Sequence, residues 1–333
     1  LHAFFMLRDK FGRRHNYLRL AVTDRCNLRC FYCMPEVGIS YLNRKELLSY
    51  EEMLRIAEIF SSEGVNKIRI TGGEPFVRSG MNDFLRNLIQ VKGIDEVHVT
   101  TNGSLISQHI GFLEEIGIKS INLSLDTLDR ERFAAITRRD KFPEVFKTLQ
   151  DLINSSIETK VNMVVMKNKN FNDILPMLEL GKDNPISVRF IEEMPFNGDP
   201  NQGNGEYLNL TQILDYITSE HSISKLKDSP SSTSLNYQVN GFEGSFGIIP
   251  AYTRTICGSC NRLRLTPQGD LRTCLYSQGK VSLRDTMRNG SSDEEITDLI
   301  RKALTGKARN GFIAESLRDS SNPAHESMAT IGG

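Results

Sequence analysis

The sequence predicts an α/β fold in which six strand–helix units form a partial (β/α)6 barrel, followed by a smaller, β-rich α+β region. Between residues 17 and 192, strand-type and helix-type patterns alternate six times. Such alternation is typical of a parallel sheet with right-handed crossovers. After about residue 226 the pattern changes to short β segments. We therefore predict two domains, at residues 11–225 and 226–333.

The predicted barrel strands are rich in apolar and β-branched residues, and a helical pattern follows each of the first five. In chain order the strands are residues 17–23, 67–71, 95–101, 120–125, 158–165 and 186–192. The first helix begins at the capping box Ser49-x-x-Glu52 and ends at Gly64. Further helices are predicted at residues 82–91, 107–116, after Asp129, and at 143–155, 172–181 and 211–220.

The C-terminal region is predicted to contain four short strands and one capped helix. The strands are residues 236–239, 245–249, 262–266 and 270–274, and the helix follows Ser292. The turn Pro267-Gln268-Gly269 joins the last two strands as a hairpin. Residues 195–206 are rich in Gly, Asn and Pro, which predicts an irregular, lid-like loop.

Composition narrows the function classes. The 41 basic and 41 acidic residues cancel, which argues against a general nucleic-acid binder. No apolar run approaches the roughly 20 residues that span a bilayer, so no membrane partner is expected. The apolar stretch before Met6, a plausible start, is too short for a signal-peptide core, and we expect a cytoplasmic protein.

The six cysteines form two triplets, spaced C-x3-C-x2-C and C-x2-C-x13-C. They are Cys26, Cys30, Cys33 and Cys257, Cys260, Cys274. Local triplets in so long a chain favour metal binding over disulfides. Three thiolates on a [4Fe–4S] cluster leave one iron open to an outside molecule. Zinc is the alternative, but it usually needs a fourth Cys or His ligand, and no histidine lies beside a triplet at the usual spacing.

Basic residues lie inside four predicted strands: Arg19, Arg69, Lys160 and Arg189. Alternate side chains of a barrel strand point to the interior, where a cation is costly unless it faces a ligand. Guanidinium groups bind phosphate oxygens in pairs. These residues therefore predict a positively lined cavity suited to a nucleoside triphosphate.

Several motifs resemble known families. The first cysteine triplet, with Tyr32 before its last cysteine, resembles the signature of the radical S-adenosylmethionine (SAM) superfamily, and GGEP at 72–75 resembles its turn for the SAM amino group. Further motifs resemble the MoaA family, the GTP 3′,8-cyclases of molybdenum cofactor biosynthesis. They are TDRCNLRC at 23–30, RITGGEP at 69–75, TTNG at 100–103, NLSLD at 122–126, RFIE at 189–192 and CGSCNRLR at 257–264. The matches cover nearly the whole chain.

The resemblance implies that a first [4Fe–4S] cluster, on Cys26, Cys30 and Cys33, binds SAM at its open iron. Reductive cleavage of SAM would give a 5′-deoxyadenosyl radical. The resemblance assigns SAM contacts to Tyr32, Gly73, Glu74, Ser124, Arg189 and Met194.

For the substrate, the resemblance implies GTP, with its base at a second [4Fe–4S] cluster on Cys257, Cys260 and Cys274. The radical would take the GTP 3′ hydrogen, and attack on C8 would lead to 3′,8-cyclo-7,8-dihydro-GTP. The implied GTP contacts are Arg19, Arg69, Thr100, Lys160, Arg262, Leu263 and Arg264. Catalytic roles are implied for Arg262, Arg264, Gly332 and Gly333, with the Gly-Gly tail entering the active site.

The expected partners follow from this reading: an external electron donor, flavodoxin-like or similar, and a downstream cyclic pyranopterin monophosphate synthase. The chain is expected to be a monomer or homodimer. Two alternatives stay open. One is another radical SAM enzyme with an auxiliary cluster, such as a peptide-modifying maturase, and the other is a zinc-stabilised binding module.

Overall fold

The computed structural model of the chain describes residues 6–194, 196, 207–278, 281–318 and 326–332. Apart from Phe196, the predicted loop at 195–206 lies outside the described residues, and so does the terminal Gly333.

Within the described residues, twelve strands form one sheet in the order β12-β11-β10-β1-β2-β3-β4-β5-β6-β9-β8-β7. Their bounds are β1 Tyr17–Ala21, β2 Lys67–Thr71, β3 Glu96–Thr101, β4 Ser120–Ser124, β5 Glu158–Val165, β6 Ser187–Glu192, β7 Ile223–Lys225, β8 Leu235–Val239, β9 Ser245–Ile249, β10 Arg262–Leu265, β11 Asp270–Arg272 and β12 Val281–Ser282. Strands β1 to β6 are neighbours in chain order and all parallel, which confirms the six predicted barrel strands.

The helices alternate with the first six strands and continue to the C-terminus. They are α1 Tyr50–Ser62, α2 Met81–Leu88, α3 Ile110–Glu115, α4 Arg130–Thr137, α5 Phe142–Ile153, α6 Ile174–Glu179, α7 Leu210–Glu220, α8 Leu283–Arg288, α9 Asp293–Thr305, α10 Gly311–Ser316 and α11 Met328–Ile331. Both predicted capping boxes are present, at Ser49 of α1 and Ser292 of α9. The short helices α8, α10 and α11 and the strands β7 and β12 were not predicted, because they carry too few residues for a clear period. No described helix is both long and apolar enough to cross a membrane.

The C-terminal strands extend the barrel sheet at both of its edges. Strand β10 pairs in parallel with β1, and β9 pairs in parallel with β6. The predicted domain boundary at residue 225 stays a prediction; it falls between β7 and β8, which pair with each other. The C-terminal region therefore completes the sheet that begins at the N-terminus.

Alternation along each strand sends apolar side chains to one face of the sheet and polar ones to the other. Leu18, Ile70, Ile121 and Val161 are fully buried in one core with the helices. Since successive side chains of a strand point to opposite faces, the residues beside them, such as Arg19, face the other way.

Aromatic packing joins the C-terminal strands to the barrel. Phe246 of β9 is fully buried, and its ring lies 6.3 Å from Phe190 of β6 and 5.3 Å from Tyr237 of β8, between ring centroids. These contacts connect β9 with a neighbour on each side.

The GGEP turn packs directly on the loop that carries the first cysteine triplet. The Gly73 amide donates to the Thr23 carbonyl at 2.8 Å, and the Glu74 amide donates to the Arg25 carbonyl at 2.8 Å. A Cβ atom on Gly73 would overlap the Arg25 carbonyl, and Gly72 has φ +143°, which favours glycine. The two glycines therefore permit the close approach of the two turns.

We expect Phe246→Ala to lower the free energy of unfolding by about 3–5 kcal/mol, because it leaves a cavity between β6 and β8. Chemical denaturation measures the change. Leu317→Ala is the control: Leu317 is 66% exposed, and we expect a change within about 0.5 kcal/mol. A loss below about 1 kcal/mol for Phe246→Ala would contradict the proposed joining role of this ring.

Gly73→Ala should destabilise the protein by about 1–3 kcal/mol, because the added methyl group has no room beside the Arg25 backbone. Gly111→Ala in α3 is the matched control, since a Cβ there meets nothing within 4 Å and alanine favours a helix. Thermal unfolding compares the two variants, and equal melting temperatures would show that the turn tolerates the methyl group.

Candidate active site

The polar face of the sheet encloses a cavity of about 540 Å³, within the usual range for small-molecule sites. Both cysteine triplets and side chains from β1 to β6 and from β10 line it. The predicted site residues that line the cavity are Arg19, Cys26, Cys30, Tyr32, Cys33, Arg69, Gly73, Thr100, Ser124, Lys160, Arg189, Met194, Cys257, Cys260, Arg262, Arg264 and Cys274. The structure thus brings together groups that are distant in the sequence.

A row of arginines is set by strand register. Arg19 of β1 lies opposite Arg69 of β2 on one side and Arg264 of β10 on the other. Neighbouring strands lie about 4.8 Å apart, so the three cations are close. Burial, together with the charge of Arg264, holds the pKa of Arg19 well below its usual range, and burial lowers the pKa of Arg264 to about 10. An anion in the cavity would relieve this repulsion.

The positive charges of Arg69 and Arg19 also act on Tyr17. Arg69 Nε donates to its Oη at 2.7 Å. Burial raises the pKa of Tyr17, but the charges of Arg69 and Arg19 outweigh burial and lower it to about 8. The tyrosine was not predicted as a site residue, although it lies two residues before Arg19 and so shares its face.

On the cavity-facing side of β2 to β5, four polar side-chain atoms are buried without a hydrogen-bond partner among the described residues. They are the hydroxyl oxygens of Thr71 and Thr100 and Oδ1 of Asn122 and Asn162. Buried polar atoms are normally paired, so these four indicate room for a polar ligand. Asn122 lies two residues before Ser124 and Asn162 two after Lys160, a strand spacing that could have identified both.

The strand cations on the far side of the cavity are oriented by local partners. Lys160 Nζ lies 2.8 Å from Glu158 Oε1, and burial lowers the pKa of Lys160. Arg189 donates to the Ser234 hydroxyl and to Asn236 Oδ1 of β8, and burial lowers the pKa of Arg189 to about 10. The C-terminal strands therefore fix the direction of Arg189.

The first triplet offers three free thiols on one wall. Burial, with the charge of Glu74, raises the pKa of Cys26 to about 11, and burial, with the nearby Cys26, raises the pKa of Cys33 to about 12. Leu28 N and Asn102 Nδ2 lie 3.4 and 3.6 Å from Cys26 Sγ. Three thiols that line one cavity, with amide donors near the sulfur of Cys26, fit the ligand set of an iron–sulfur cluster.

The second triplet differs in its electrostatics. Burial raises the pKa of Cys260, but the charges of Arg262 and Lys307 outweigh burial and lower it to about 6. Lys307 Nζ lies 3.9 Å from Cys260 Sγ. Across the part of the chain that the structure describes, no three His, Cys, Asp or Glu side chains are grouped to hold a metal ion. The fit of each triplet to a cluster therefore rests on its thiols and their surroundings.

Tyr32 is anchored by the carboxylate of Asp126, the last residue of the NLSLD motif, which was not among the predicted site residues. Its Oη donates to Asp126 Oδ2 at 2.8 Å, and the Val164 amide donates to Asp126 Oδ1 at 2.8 Å. Burial raises the pKa of Asp126 to about 6. Asp126 thus ties the first cysteine loop to β5.

Glu74, a predicted SAM contact, has its side chain turned away from the cavity. Its side chain is fully buried and does not line the cavity. The carboxylate accepts from Thr101 Oγ1 at 2.8 Å, from the Asn102 amide at 2.7 Å and from the Phe76 amide at 3.2 Å. Burial raises the pKa of Glu74 to about 7. The Glu74 carboxylate therefore joins the GGEP turn to the end of β3.

Two further predicted residues are placed differently. The side chain of Leu263 is fully buried in the apolar core, because it alternates with Arg262 and Arg264. Gly332 does not line the cavity, but its carbonyl accepts from Arg264 Nη1 at 2.8 Å. The tail therefore reaches the arginine row through its backbone, while Gly333 lies outside the described residues.

Two families match consecutive parts of the chain. Residues 20–181 match the Radical SAM superfamily, and residues 186–313 match the family described as Molybdenum Cofactor Synthesis C. The superfamily implies one [4Fe–4S] cluster and SAM, which agrees with the first triplet.

Among solved structures, Streptococcus suis SuiB is similar with a TM-score of 0.62, at 15% identity over 92% of this chain and 73% of that one. The same protein bound to S-adenosylmethionine gives a TM-score of 0.58 at 16% identity, over 86% of this chain and 69% of that one. At these identities the likeness shows the fold alone. Together with the family match over residues 20–181, it confirms the predicted α/β fold of the radical SAM type.

Curated relatives are similar over nearly the whole chain. The molybdenum cofactor biosynthesis protein moc-5 of Caenorhabditis elegans is 38% identical over 97% of this chain, which spans only 55% of that protein. The mitochondrial GTP 3′,8-cyclase of Arabidopsis thaliana is 40% identical, over 98% of this chain and 84% of the relative. The GTP 3′,8-cyclase of Clostridium perfringens is 37% identical, over 90% and 93%. This chain therefore belongs to the GTP 3′,8-cyclase family of the radical SAM superfamily.

Proposed function

We propose that this chain is a GTP 3′,8-cyclase, which converts GTP to 3′,8-cyclo-7,8-dihydro-GTP in the first step of molybdopterin biosynthesis. The observation that carries the proposal is the single cavity lined by both cysteine triplets and by a row of strand arginines. A radical generator and a polyanion site with its own metal ligands would then share one enclosed space.

The first triplet, Cys26, Cys30 and Cys33, would hold the cluster that binds SAM. When bound, the cluster and SAM would supply the radical chemistry that begins the reaction. The residues proposed to contact SAM are Tyr32, Gly73, Ser124, Arg189 and Met194, all of which line the cavity. Their task is to orient SAM and to exclude water from the reactive centre.

GTP would occupy the rest of the cavity. Its triphosphate carries several negative charges, so it suits the partly or fully buried cations Arg19, Arg69, Arg264 and Lys160 better than a neutral ligand would. Thr100 and Arg262 also face this space. The unpaired side-chain oxygens of Asn122 and Asn162 can accept hydrogen bonds from the ribose hydroxyls or the base.

The second triplet, Cys257, Cys260 and Cys274, would hold a second cluster whose open iron meets the guanine base. An external electron donor, flavodoxin-like or similar, and a downstream cyclic pyranopterin monophosphate synthase are the proposed partners. A cytoplasmic location and a monomeric or homodimeric state belong to the same proposal. No observation favours a peptide-modifying or zinc-binding role over this one.

Product analysis tests the proposal directly. The chain, reconstituted anaerobically with iron and sulfide, is incubated with SAM, GTP and dithionite, and the products are identified by mass spectrometry. We expect 5′-deoxyadenosine and 3′,8-cyclo-7,8-dihydro-GTP to form together, and neither product to accumulate at a comparable rate when ATP replaces GTP. SAM cleavage without any dependence on GTP would refute the proposed function.

Lys160→Gln should weaken GTP binding about 10–100-fold, because a charge-assisted hydrogen bond contributes about 1.5–3 kcal/mol. Equilibrium binding of GTP to the anaerobic protein measures the effect. Lys182→Gln is the control, since this lysine is exposed and pairs only loosely, at 3.8 Å, with Glu179. If both variants bind GTP as the parent does, Lys160 is not a phosphate ligand.

A further inference from the structure

Lys307 is a buried lysine outside the set of predicted site residues. It follows α9, and its side chain is among the largest that are fully enclosed, with the residue 2% exposed. Lysine is almost never fully buried without a partner, because removing an ammonium group from water is costly. Its surroundings must therefore compensate the charge.

The partners of Lys307 all belong to the segment that carries the second triplet. Nζ donates to the Arg262 carbonyl at 3.1 Å and to the Thr273 carbonyl, and it lies 3.9 Å from Cys260 Sγ. Arg262 is the first residue of β10. Thr273 directly follows β11 and precedes Cys274. The ammonium group of Lys307 therefore lies next to the second triplet, and Lys307 is not among the residues that line the cavity.

No carboxylate forms an ion pair with Lys307 among the residues that the structure describes. Burial lowers the pKa of Lys307, and the nearby Cys260 and Cys274 act in the opposite direction. Arg13 and Arg262 are the nearby cations. The triplet, whose Cys260 Sγ lies 3.9 Å from Nζ, can therefore supply the counter-charge of this ammonium group.

A second contact network fixes the segment that carries Lys307. Arg13 Nη1 donates to the carbonyls of Cys257 at 2.9 Å and Arg309 at 2.8 Å, and Nη2 donates to the carbonyl of Ala308 at 2.8 Å. Arg13 Nε is held in turn by Asp9 Oδ2 at 2.6 Å. One arginine therefore fastens the residues after Lys307 to the first cysteine of the triplet.

We propose that Lys307 is a positioning residue for the second cluster: its ammonium group compensates the negative charge of a cluster held by Cys257, Cys260 and Cys274. The inference rests on the proposed function, which supplies the second cluster. A cubane with three thiolate ligands carries a net negative charge that grows on reduction. A fixed cation a few ångströms away stabilises the reduced state more than the oxidised one.

The competing explanation is structural, because Lys307 also joins two carbonyls near β10 and β11. Lys307→Gln retains hydrogen-bond donors without the charge, and Lys307→Arg retains both. Lys302→Gln is the matched control, since Lys302 is an exposed lysine of α9. A structural role requires only a donor, whereas a charge role requires a cation.

The test uses the full-length chain with Cys26, Cys30 and Cys33 changed to serine, so that only the second cluster gives a signal. After anaerobic reconstitution, iron and sulfide are counted and the midpoint potential is measured by redox titration followed by electron paramagnetic resonance. We expect Lys307→Gln to shift the midpoint potential to more negative values. Lys307→Arg, which keeps the positive charge, should have a potential close to that of the parent, and Lys302→Gln should match the parent.

An unchanged potential in Lys307→Gln, with full iron content, would overturn the inference. Loss of the cluster in Lys307→Gln but not in Lys307→Arg, at equal thermal stability, would support it, whereas loss in both would refute a role for charge. If the parent with all six cysteines binds GTP but takes up only one cluster, there is no second cluster for Lys307 to act on, and the inference is refuted. That result differs from a failure to act on GTP, which concerns the proposed function.

Discussion

The parallel pairing of β1 with β10 is the contact on which the site depends. It places the C-terminal triplet beside the strand that leads into the N-terminal triplet, and it sets Arg264 opposite Arg19. A slip of one residue would turn Arg262 and Arg264 into the apolar core and Leu263 into the cavity. The burial of Leu263 and its neighbours in the core opposes such a slip, so apolar packing on one face of β10 maintains the charge pattern on the other.

The cavity concentrates positive charge in a chain whose net charge is zero. Burial and mutual repulsion make the arginine row unfavourable by itself, as the lowered pKa values of Arg19 and Arg264 indicate. The unpaired oxygens in the same wall add to that unfavourable state. A bound polyanion with hydroxyl groups would neutralise the positive charges and form hydrogen bonds with the unpaired oxygens. Both effects favour binding, because they remove unfavourable interactions that are present in the free protein.

Much of the fold and of the cavity could be predicted from the sequence. The period of two in β1 to β6 gave the strands, and cations at inward positions of those strands indicated the cavity. Strand partners at the edges could not be predicted, because the local pattern of β9 or β10 does not say which neighbour it joins. The position of the Glu74 carboxylate behind the turn could not be predicted, because a motif does not show which way a side chain turns. Lys307 was missed because a lone lysine in a polar stretch is usually exposed.

The pairing of β1 with β10 also joins two segments that are separated by about three quarters of the chain, since Tyr17 lies opposite Arg262. Contacts between such distant segments cost more loop-closure entropy than local contacts do, and folds that depend on them form more slowly. During synthesis the first cysteine triplet leaves the ribosome long before the strand that will close the cavity beside it. A chain that ends before β10 has the first triplet but lacks Arg262, Arg264 and Cys274 of the cavity wall, so the complete cavity can form only after the last part of the sheet has been made.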